Sequence, residues 1–400
     1  MKNQDIFTTD EKEWKNWRWQ QRNSLHFGRD ISRFYPNFPE SEIGEIARYE
    51  QERRWGITPY TLSLMELDEQ GNPSPSDPLV KQTFPIRGFA IDTSVDSYDG
   101  STNKNWELPE DMKTPILQHK YTQKVLFRIP NACLAYCGFC FEVERVEDKR
   151  AKKPGVNENL WRQSIDYIKG HPEVMEVILS GGEPLLLDNE TLEEKLSDIR
   201  SIPHIKAIRV HTRALTFNPY RIDEDLVEIF KKYRVNEMGI HMCHPNELTP
   251  EVKEALGKFD EHGYGSILKM GQTPLLKGIN DNKEVLQELF IRMYTEFGIK
   301  PYYLLHSIPW SPGANQYRTD VKTGVRIINA MKGHIPNIAI PEYIIAHHTG
   351  KKTVPLELEG TPEFQYTQNE NGHPIVRFRN WKGNWETYLD RKTITPATFK

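Results

Sequence analysis

The sequence predicts an α/β protein built on a partial (β/α)6 barrel, with a helical N-terminal region and a short C-terminal extension. Two observations predict this fold. From residue 124 onward, short β-rich runs alternate with longer amphipathic stretches, which is the pattern of repeated βαβ units and a parallel sheet. Before about residue 110, the apolar residues recur at helical spacing instead. We expect the chemistry at the C-terminal ends of the barrel strands.

Six strand-like runs and the helical stretches between them define the predicted barrel. The runs lie at 125–130, 174–180, 207–211, 238–242, 266–270 and 301–306, and the helical stretches lie at 157–169, 190–199, 224–232, 250–262 and 283–297. A seventh run, 343–346, leads into the extension, and the N-terminal helical patterns lie at 13–24 and 41–55. We therefore expect a helical region over 1–110, the barrel over 111–340 and the extension over 341–400.

Composition excludes several classes of protein. The chain has 400 residues and a formal net charge of -4, so no basic excess indicates a nucleic-acid partner. The polar N-terminus is unlike a signal peptide, and no apolar run approaches the roughly 18 residues that span a bilayer. Four cysteines are too few for a disulfide framework. We expect a cytoplasmic protein with neither a nucleic-acid nor a membrane partner.

Three of the four cysteines, Cys133, Cys137 and Cys140, follow the first strand-like run. Their Cys-x3-Cys-x2-Cys spacing lets three thiolates hold three irons of a [4Fe-4S] cubane and leave the fourth iron open. A zinc knuckle would need another ligand nearby, and no Cys or His follows within the next 30 residues. The segment therefore predicts a cluster that can take up a further ligand.

This segment, with the aromatic Phe139 just before the last cysteine, resembles the signature of the radical S-adenosylmethionine (SAM) superfamily. The resemblance implies a radical SAM barrel that binds SAM at the open iron, with Phe139 among the cofactor-binding residues. It further implies cleavage of SAM to a 5′-deoxyadenosyl radical, which abstracts hydrogen from the substrate. The electron would come from a reductant such as flavodoxin or ferredoxin.

The second, third and fifth runs end in residues suited to binding SAM. The motif after the second run consists of Ser180, Gly181, Gly182 and Glu183. Glycines let the backbone approach a ligand closely, and in radical SAM proteins this motif contacts the amino group of SAM. Arg213 could reach the SAM carboxylate, with a surface arginine as the alternative. Gln272 resembles a family position that bonds the ribose, with a solvated turn residue as the alternative.

Over nearly its whole length the chain also resembles the lysine 2,3-aminomutase family. The matching stretches are 14–23, 57–64, 77–82, 119–121, 124–127, 244–247, 272–281, 301–303 and 379–383. The resemblance implies an isomerase that uses pyridoxal 5′-phosphate (PLP) to move an amino group between neighbouring carbons of a small, amino-acid-like substrate. We also expect a homo-oligomer.

The lysine that binds PLP in this family follows a glycine run after the last barrel strand. The equivalent stretch here is 346–353, in which Lys352 matches best and Lys351 is one residue away. Without the resemblance, a lysine pair after a glycine is more often a solvated loop. Lys120 and Lys124 occupy positions where relatives carry arginines that contact the phosphate, and a lysine there still offers a point charge.

The chain departs from the family around the expected substrate. Where relatives carry an arginine for the substrate carboxylate, this chain has Glu142, which reverses an attraction of a few kcal/mol at short range. The two aspartates that hold the ε-ammonium of lysine align with Ile308 and near Ala346. An unpaired buried ammonium is costly. We therefore expect a substrate other than free lysine.

Two further departures concern cofactor and metal. The glycine run is reduced to Gly350, with His347 and His348 before it, and the family's zinc cysteines near the C-terminus are missing. No zinc site is therefore expected. Cys243 is then a buried thiol near the fourth strand. His241 and His244 flank it, but three residues at nearly consecutive positions make a poor ligand set.

Three hypotheses follow for the function. The first is a PLP-dependent radical SAM aminomutase that acts on an amino acid or derivative other than lysine. The second keeps the radical SAM core without PLP and carries out epimerisation, dehydrogenation or another rearrangement. The third, a non-enzymatic iron–sulfur electron carrier, explains the cysteines but neither the glycine motif nor the barrel pattern.

Overall fold

The computed structural model describes residues 9–85, 108–142, 146, 156–309, 311, 313–358 and 360–391. Its main feature is a ten-stranded sheet whose strands follow one another in chain order. The strands of this sheet are β1 (Met112–Thr114), β2 (Leu117–Tyr121), β3 (Lys124–Arg128), β4 (Glu176–Ser180), β5 (Ala207–Thr212), β6 (Glu237–His241), β7 (Leu268–Leu275), β8 (Lys300–His306), β9 (Glu342–His347) and β10 (Gly350–Thr353).

Seven consecutive strands, β3 to β9, run parallel. The hairpin of β1 and β2 extends the sheet antiparallel at one side, and β10 returns antiparallel along β9 at the other. The six predicted runs are therefore strands β3 to β8, and the seventh run is β9. This confirms the α/β class and the parallel sheet. In the described part of the chain no backbone pairing joins β10 to β1, so the sheet is open in its strand order.

Helices cover the sheet between successive strands. The α-helices of the described residues are α1 (Glu11–Trp14), α2 (Trp17–Arg22), α3 (Glu40–Glu52), α4 (Pro59–Leu64), α5 (Pro78–Thr83), α6 (Glu158–Lys169), α7 (Asn189–Arg200), α8 (Ala214–Phe217), α9 (Glu224–Lys232), α10 (Pro250–Glu261), α11 (Lys283–Glu296), α12 (Ala314–Tyr317) and α13 (Val321–Met331). The five predicted barrel helices are α6, α7, α9, α10 and α11, and α13 completes the crossover from β8 to β9.

Helix α6 illustrates why these stretches are helical. The side chain of Asn157 accepts hydrogen bonds from the backbone N–H groups of Asn159 and Leu160, so it caps the first turn. Trp161, Ile165 and Ile168 are buried and recur at helical spacing on the face that packs against the sheet.

The N-terminal helices lie against the barrel. The indole N–H of Trp17 in α2 donates to Asp223 at 2.9 Å, and the side chain of Asn218 donates to the carbonyl of Trp17 at 3.0 Å. The hydroxyls of Tyr60 in α4 and Thr249 are 2.7 Å apart. Because Asp223, Asn218 and Thr249 follow strands β5 and β6, this region covers the end of the barrel where the strands finish.

The C-terminal part forms a second, three-stranded antiparallel sheet. Its strands are β11 (Phe364–Gln368), β12 (Pro374–Arg379) and β13 (Trp385–Leu389). The indole N–H of Trp381, between β12 and β13, donates to the carbonyl of Thr349 at 3.1 Å. This sheet therefore contacts the β9–β10 hairpin directly. None of the described helices is both long and apolar enough to span a bilayer.

Candidate active site

Inward-facing side chains of the large sheet enclose a cavity of about 570 Å³. The three clustered cysteines and Lys351 on β10 are among the residues that line it. Side chains face a common side at every second position of a strand. Thus Arg209, His211 and Arg213 all line the cavity from β5 and the residue after it.

The cysteine loop is held by backbone hydrogen bonds from two other parts of the chain. The N–H of Gly138 donates to the carbonyl of Gln82 at 2.9 Å, and the N–H of Gly313 donates to the carbonyl of Gly138 at 2.8 Å. Cys133, Cys137 and Cys140 are partly exposed to the cavity, and none is in a disulfide. This donor set fits a cluster held by three thiolates.

The glycine motif after β4 packs against the segment that leads into the cysteines. The N–H of Gly182 donates to the carbonyl of Pro130 at 2.9 Å, and the N–H of Glu183 donates to the carbonyl of Ala132 at 2.8 Å. A Cβ on Gly182 would lie 2.1 Å from the Ala132 oxygen. Gly182 therefore permits a close approach to the cysteine loop, and because Gly181 and Gly182 also line the cavity, their contact with SAM stays a prediction.

Replacing Gly182 with alanine is expected to displace this loop, because the added methyl cannot coexist with the Ala132 carbonyl. We expect a loss of stability of about 1–3 kcal/mol and a clear loss of iron per chain after reconstitution. Gly44→Ala in α3 is the matched control, since nothing lies within 4 Å of its added Cβ. Denaturant unfolding and iron analysis would check both variants, and normal iron content in G182A would contradict the prediction.

Glu183 and Arg213 are both engaged within the protein. The Glu183 carboxylate accepts from the Thr212 hydroxyl at 2.6 Å and from the N–H of Arg213 at 2.7 Å. Burial raises the pKa of Glu183, and these hydrogen bonds oppose the rise. The Arg213 guanidinium donates to Cys137 Sγ at 2.7 Å and to the Gln82 side chain. Arg213 is thus held directly beside Cys137.

The other predicted SAM residues also line the cavity. Phe139 contacts the Tyr317 ring edge-on at a centroid distance of 6.0 Å, and Ser180 accepts from the N–H of Ile129 at 2.9 Å. Gln272 is buried inside β7, which continues to Leu275 and so extends beyond the predicted run. The prediction that Gln272 follows a strand is therefore wrong, although its side chain does line the cavity.

Two histidines that the sequence analysis did not assign to the site lie beside Gln272. His211 Nε2 is 3.4 Å from the Gln272 amide nitrogen, and His241 faces His211 with their ring centroids 6.1 Å apart. Gly239, between them on β6, leaves the space: a Cβ there would lie 2.6 Å from the His211 ring. Burial lowers the pKa of both rings, that of His241 to about 4, so both are neutral at physiological pH.

Lys351 and Lys124 bring positive charge into the cavity. The Lys351 ammonium lies 4.5 Å from the Tyr303 ring centroid, and that of Lys124 lies 4.7 Å from the Tyr121 ring centroid. The Lys351 side chain is exposed, but it is surrounded by the cavity walls. Desolvation and the nearby charges of Arg209 and Lys124 lower the pKa of Lys351 to about 8.

Lys352, the lysine that the sequence favoured, does not line the cavity. In the β9–β10 hairpin, Lys351 pairs with Ala346 and Lys352 pairs with Ile345. Neighbouring residues of a strand face opposite sides, and the sheet turns Lys351 and Ala346 inward. The structure thus places Lys351, and not Lys352, with the other predicted site residues.

Lys120 also lines the cavity but is engaged by the chain. Its ammonium donates to the carbonyl of His348 at 2.5 Å and lies 3.8 Å from the Asp111 carboxylate. Lys124, in contrast, forms no ion pair with any described residue. Of the two lysines predicted to bind phosphate, Lys124 is therefore the more available.

Glu142 is compensated by an arginine that sequence patterns did not identify. Arg128, at the end of β3, donates to Glu142 at 3.0 Å and to the Gln118 side chain at 3.2 Å. Arg128 is 4% exposed, and all three side chains line the cavity. Side chains alternate along β3, so Arg128 faces the cavity for the same reason as Lys124. This alternation could have identified Arg128 from the sequence. Glu142 is thus one half of an ion pair.

Arg128→Met should destabilise the protein by about 3–5 kcal/mol, because it removes the buried charge that Arg128 places beside Glu142. The double variant R128M/E142Q should recover part of this loss, since it also removes the negative charge. Denaturant unfolding of the two single variants and the double variant measures the coupling. Additive effects of the two substitutions would show that the ion pair does not act as a unit.

The two positions that the resemblance assigns to a distal ammonium carry no acid here. Ala346 lines the cavity without a charge, and Ile308 is buried. Glu342, at the start of β9, does line the cavity and accepts a hydrogen bond from Thr353. The carboxylate that β9 contributes to this wall is therefore that of Glu342, at the start of the strand, and Ala346 lies near its end.

Comparison with known proteins identifies close sequence relatives. A radical SAM superfamily model matches residues 127–289. The L-lysine 2,3-aminomutase of Acetoanaerobium sticklandii is 31% identical over 381 residues, covering 94% of this chain and 85% of that protein. The L-lysine 2,3-aminomutase of Clostridium subterminale is 31% identical over 388 residues, covering 96% and 86%. The glutamate 2,3-aminomutase of Clostridioides difficile is 28% identical over 381 residues, covering 94% and 83%.

Solved structures give a weaker likeness. A maturase of the [FeFe]-hydrogenase matches with a TM-score of 0.36 and 13% identity, covering 52% of this chain and 48% of the other. The coproporphyrinogen III oxidase of Escherichia coli matches with a TM-score of 0.36 and 12% identity, covering 54% and 53%. Both TM-scores are too low to support a conclusion about function.

Proposed function

The chain belongs to the lysine 2,3-aminomutase family of radical SAM enzymes, and from this we propose that it is a PLP-dependent isomerase of an amino acid or derivative other than free lysine. Cys133, Cys137 and Cys140 would hold the cluster. SAM bound at the open iron supplies the 5′-deoxyadenosyl radical, with an electron from a reductant such as flavodoxin or ferredoxin. We also infer a homo-oligomer.

The observation that carries the proposal is the position of Lys351 in the same cavity as the three cysteines. An amine with a pKa of about 8 is partly neutral at physiological pH, as a lysine that binds a carbonyl cofactor must be. Lys124 offers a charge for the phosphate, and Tyr303 offers an aromatic surface for the ring. PLP, when bound, supplies the π system through which an amino group migrates.

The substrate is inferred from the charges of the cavity wall. Free lysine would bring its distal ammonium towards Ala346 and Ile308, and neither side chain offers a carboxylate to pair with it. The relatives named as lysine and glutamate 2,3-aminomutases carry substrates of opposite side-chain charge, so membership of the family does not specify the substrate. With Arg128 neutralised by Glu142, we favour a substrate whose carboxylate is absent, modified or bound elsewhere.

A second candidate function is a radical SAM reaction without PLP, such as epimerisation or dehydrogenation. It is favoured by the hairpin before Lys351, where His347, His348 and Thr349 replace a glycine-rich approach to the cofactor. This candidate keeps the cysteines and the SAM residues in the same roles. It differs from the first in needing no carbonyl cofactor on Lys351.

Borohydride trapping separates the two candidates. Cluster-reconstituted protein is saturated with PLP, reduced with borohydride and mapped by peptide mass spectrometry. We expect a pyridoxyl group on the peptide that contains Lys351. Its absence would contradict the PLP-dependent proposal. Amino acids and their derivatives labelled with deuterium can then be screened for transfer of the label into 5′-deoxyadenosine, which identifies the substrate class under either candidate.

A further inference from the structure

The side chain of Arg213 is a buried cation directly beside the cysteine loop. Its Nη1 donates to Cys137 Sγ at 2.7 Å, whereas its Nη2 lies 3.6 Å from Cys243 Sγ. A guanidinium stays charged in proteins, and a hydrogen bond from an ionised donor is roughly twice as strong as one between neutral groups. Arg213 therefore presents a permanent positive charge to one of the three predicted cluster ligands.

Two buried side chains hold the other end of the guanidinium. Nη2 donates to the Gln82 side chain of α5 and to Glu247 Oε2, the latter at 3.4 Å. Glu247 is fully buried, and it also accepts the Thr216 hydroxyl at 2.7 Å and two backbone N–H groups at 3.0 Å. These hydrogen bonds keep the counter-charge at Nη2 and leave Nη1 directed at the sulfur.

Two aromatic rings also contact the guanidinium. Its central carbon lies 5.2 Å from the ring centroid of Phe139 and 4.6 Å from that of Phe217. Phe139 belongs to the cysteine loop itself. Such rings attract a cation and exclude water, so the charge of Arg213 acts on Cys137 in a medium of low dielectric constant.

We propose that Arg213 tunes the reduction potential of the iron–sulfur cluster through Cys137. The inference rests on the cluster that the three cysteines hold in the proposed function. Hydrogen bonds to the ligand sulfurs and the nearby charge set the potential of such clusters. A cation that donates to a thiolate stabilises the form of the cluster that carries one more electron. Arg213 thus makes the cluster easier to reduce, and it acts through Cys137 and not as a catalytic residue.

Glu247 opposes this effect. Its carboxylate pairs with the same guanidinium, so it offsets part of the positive charge that Arg213 brings towards the sulfur. Loss of the cation should make the cluster harder to reduce, and loss of the carboxylate should make it easier to reduce. A purely structural role for the pair would not produce shifts of opposite sign.

The test is a reductive titration of the cluster in the full chain after anaerobic reconstitution, followed by electron paramagnetic resonance. Dithionite supplies the electron, and SAM is left out, so a contact between Arg213 and SAM does not affect the result. In Arg213→Met, the ratio of reduced to oxidised cluster at a fixed potential should fall at least about tenfold, which corresponds to about 59 mV for one electron. Arg213→Lys keeps the charge but not the forked geometry, so its ratio should fall less.

Glu247→Gln should raise the same ratio, because it removes the counter-charge at similar side-chain size. Lys81→Met is the matched control. It removes one positive charge from α5, beside Gln82 in the chain, where the ammonium donates to the Gly278 carbonyl at 3.0 Å. Because solvent and salt screen a partly exposed charge, the ratio in K81M should stay within about twofold of that in the unmodified protein.

Iron analysis of each variant separates the possible failures. Unmodified protein that shows no cluster signal contradicts the assignment of the cysteines, and with it the proposed function. R213M with normal iron content and an unchanged potential overturns the role of Arg213 alone. Where R213M loses its iron, E247Q decides, and a potential that does not rise in E247Q overturns the proposal.

Discussion

Replacing Cys137 with alanine is expected to abolish formation of 5′-deoxyadenosine from SAM under dithionite. Cys137 is the middle ligand of the predicted cluster, and its Sγ accepts a hydrogen bond from the buried Arg213 at 2.7 Å. Two thiolates cannot hold the cubane with one open iron. Removal of this thiol should therefore eliminate the radical chemistry at its source, whichever substrate the enzyme uses.

Iron and sulfide analysis after anaerobic reconstitution provides the first readout, and chromatography of 5′-deoxyadenosine provides the second. Cys243→Ala is the control for iron content. Cys243 is 1% exposed, and its Sγ lies 3.6 Å from Nη2 of the same Arg213, whereas Cys137 contacts Nη1. C243A should keep its iron. Formation of 5′-deoxyadenosine by C137A at the unmodified rate would overturn the assignment of the cluster.

Lys351→Ala should lose pyridoxyl labelling and lower turnover by about two to four orders of magnitude, the range typical for removal of a positioned catalytic side chain. Lys352→Ala is the matched control, because it removes the same functional group one residue away on the opposite face of β10. Turnover of K352A should stay within about twofold, as for most surface substitutions. The reverse ranking would restore Lys352 as the functional lysine.

The pH dependence of labelling adds an independent check on Lys351. Only the neutral amine attacks a carbonyl, and its fraction rises as pH rises through the pKa. Desolvation by the cavity walls and the charges of Arg209 and Lys124 lower the pKa of Lys351 to about 8, so labelling should reach half of its maximum near pH 8. A half-maximum near pH 10, close to that of an ordinary lysine, would show that the labelled amine is not the one in the cavity.

Local sequence patterns predicted the strands and helices of the barrel closely. The run at 207–211 became Ala207–Thr212, and the stretch at 224–232 became Glu224–Lys232 with the same bounds. Strands and helices depend on the periodic burial of apolar side chains, and this period can be read from consecutive residues. The prediction was less accurate for β7, which continues beyond residue 270 through Gln272 to Leu275.

The role of the glycine motif illustrates a limit of motif reasoning. Its sequence predicts contact with SAM, and the structure adds that a Cβ on Gly182 would meet the Ala132 carbonyl, fifty residues earlier. The need for glycine at this position therefore comes from a neighbour that is distant in the chain. The same holds for Glu142, whose charge looked unfavourable until Arg128 was found beside it.

By itself, the sequence determined the radical SAM class and the parallel α/β sheet, and it predicted the cysteine ligands, because each depends on residue types at short spacing. Only the tertiary structure shows which of Lys351 and Lys352 faces the cavity. Two lysines in succession are equivalent by composition, and a single residue reverses which side of a strand a side chain faces. The pairing of β10 with β9 settles that register, turns Lys351 into the cavity and leaves Lys352 outside it.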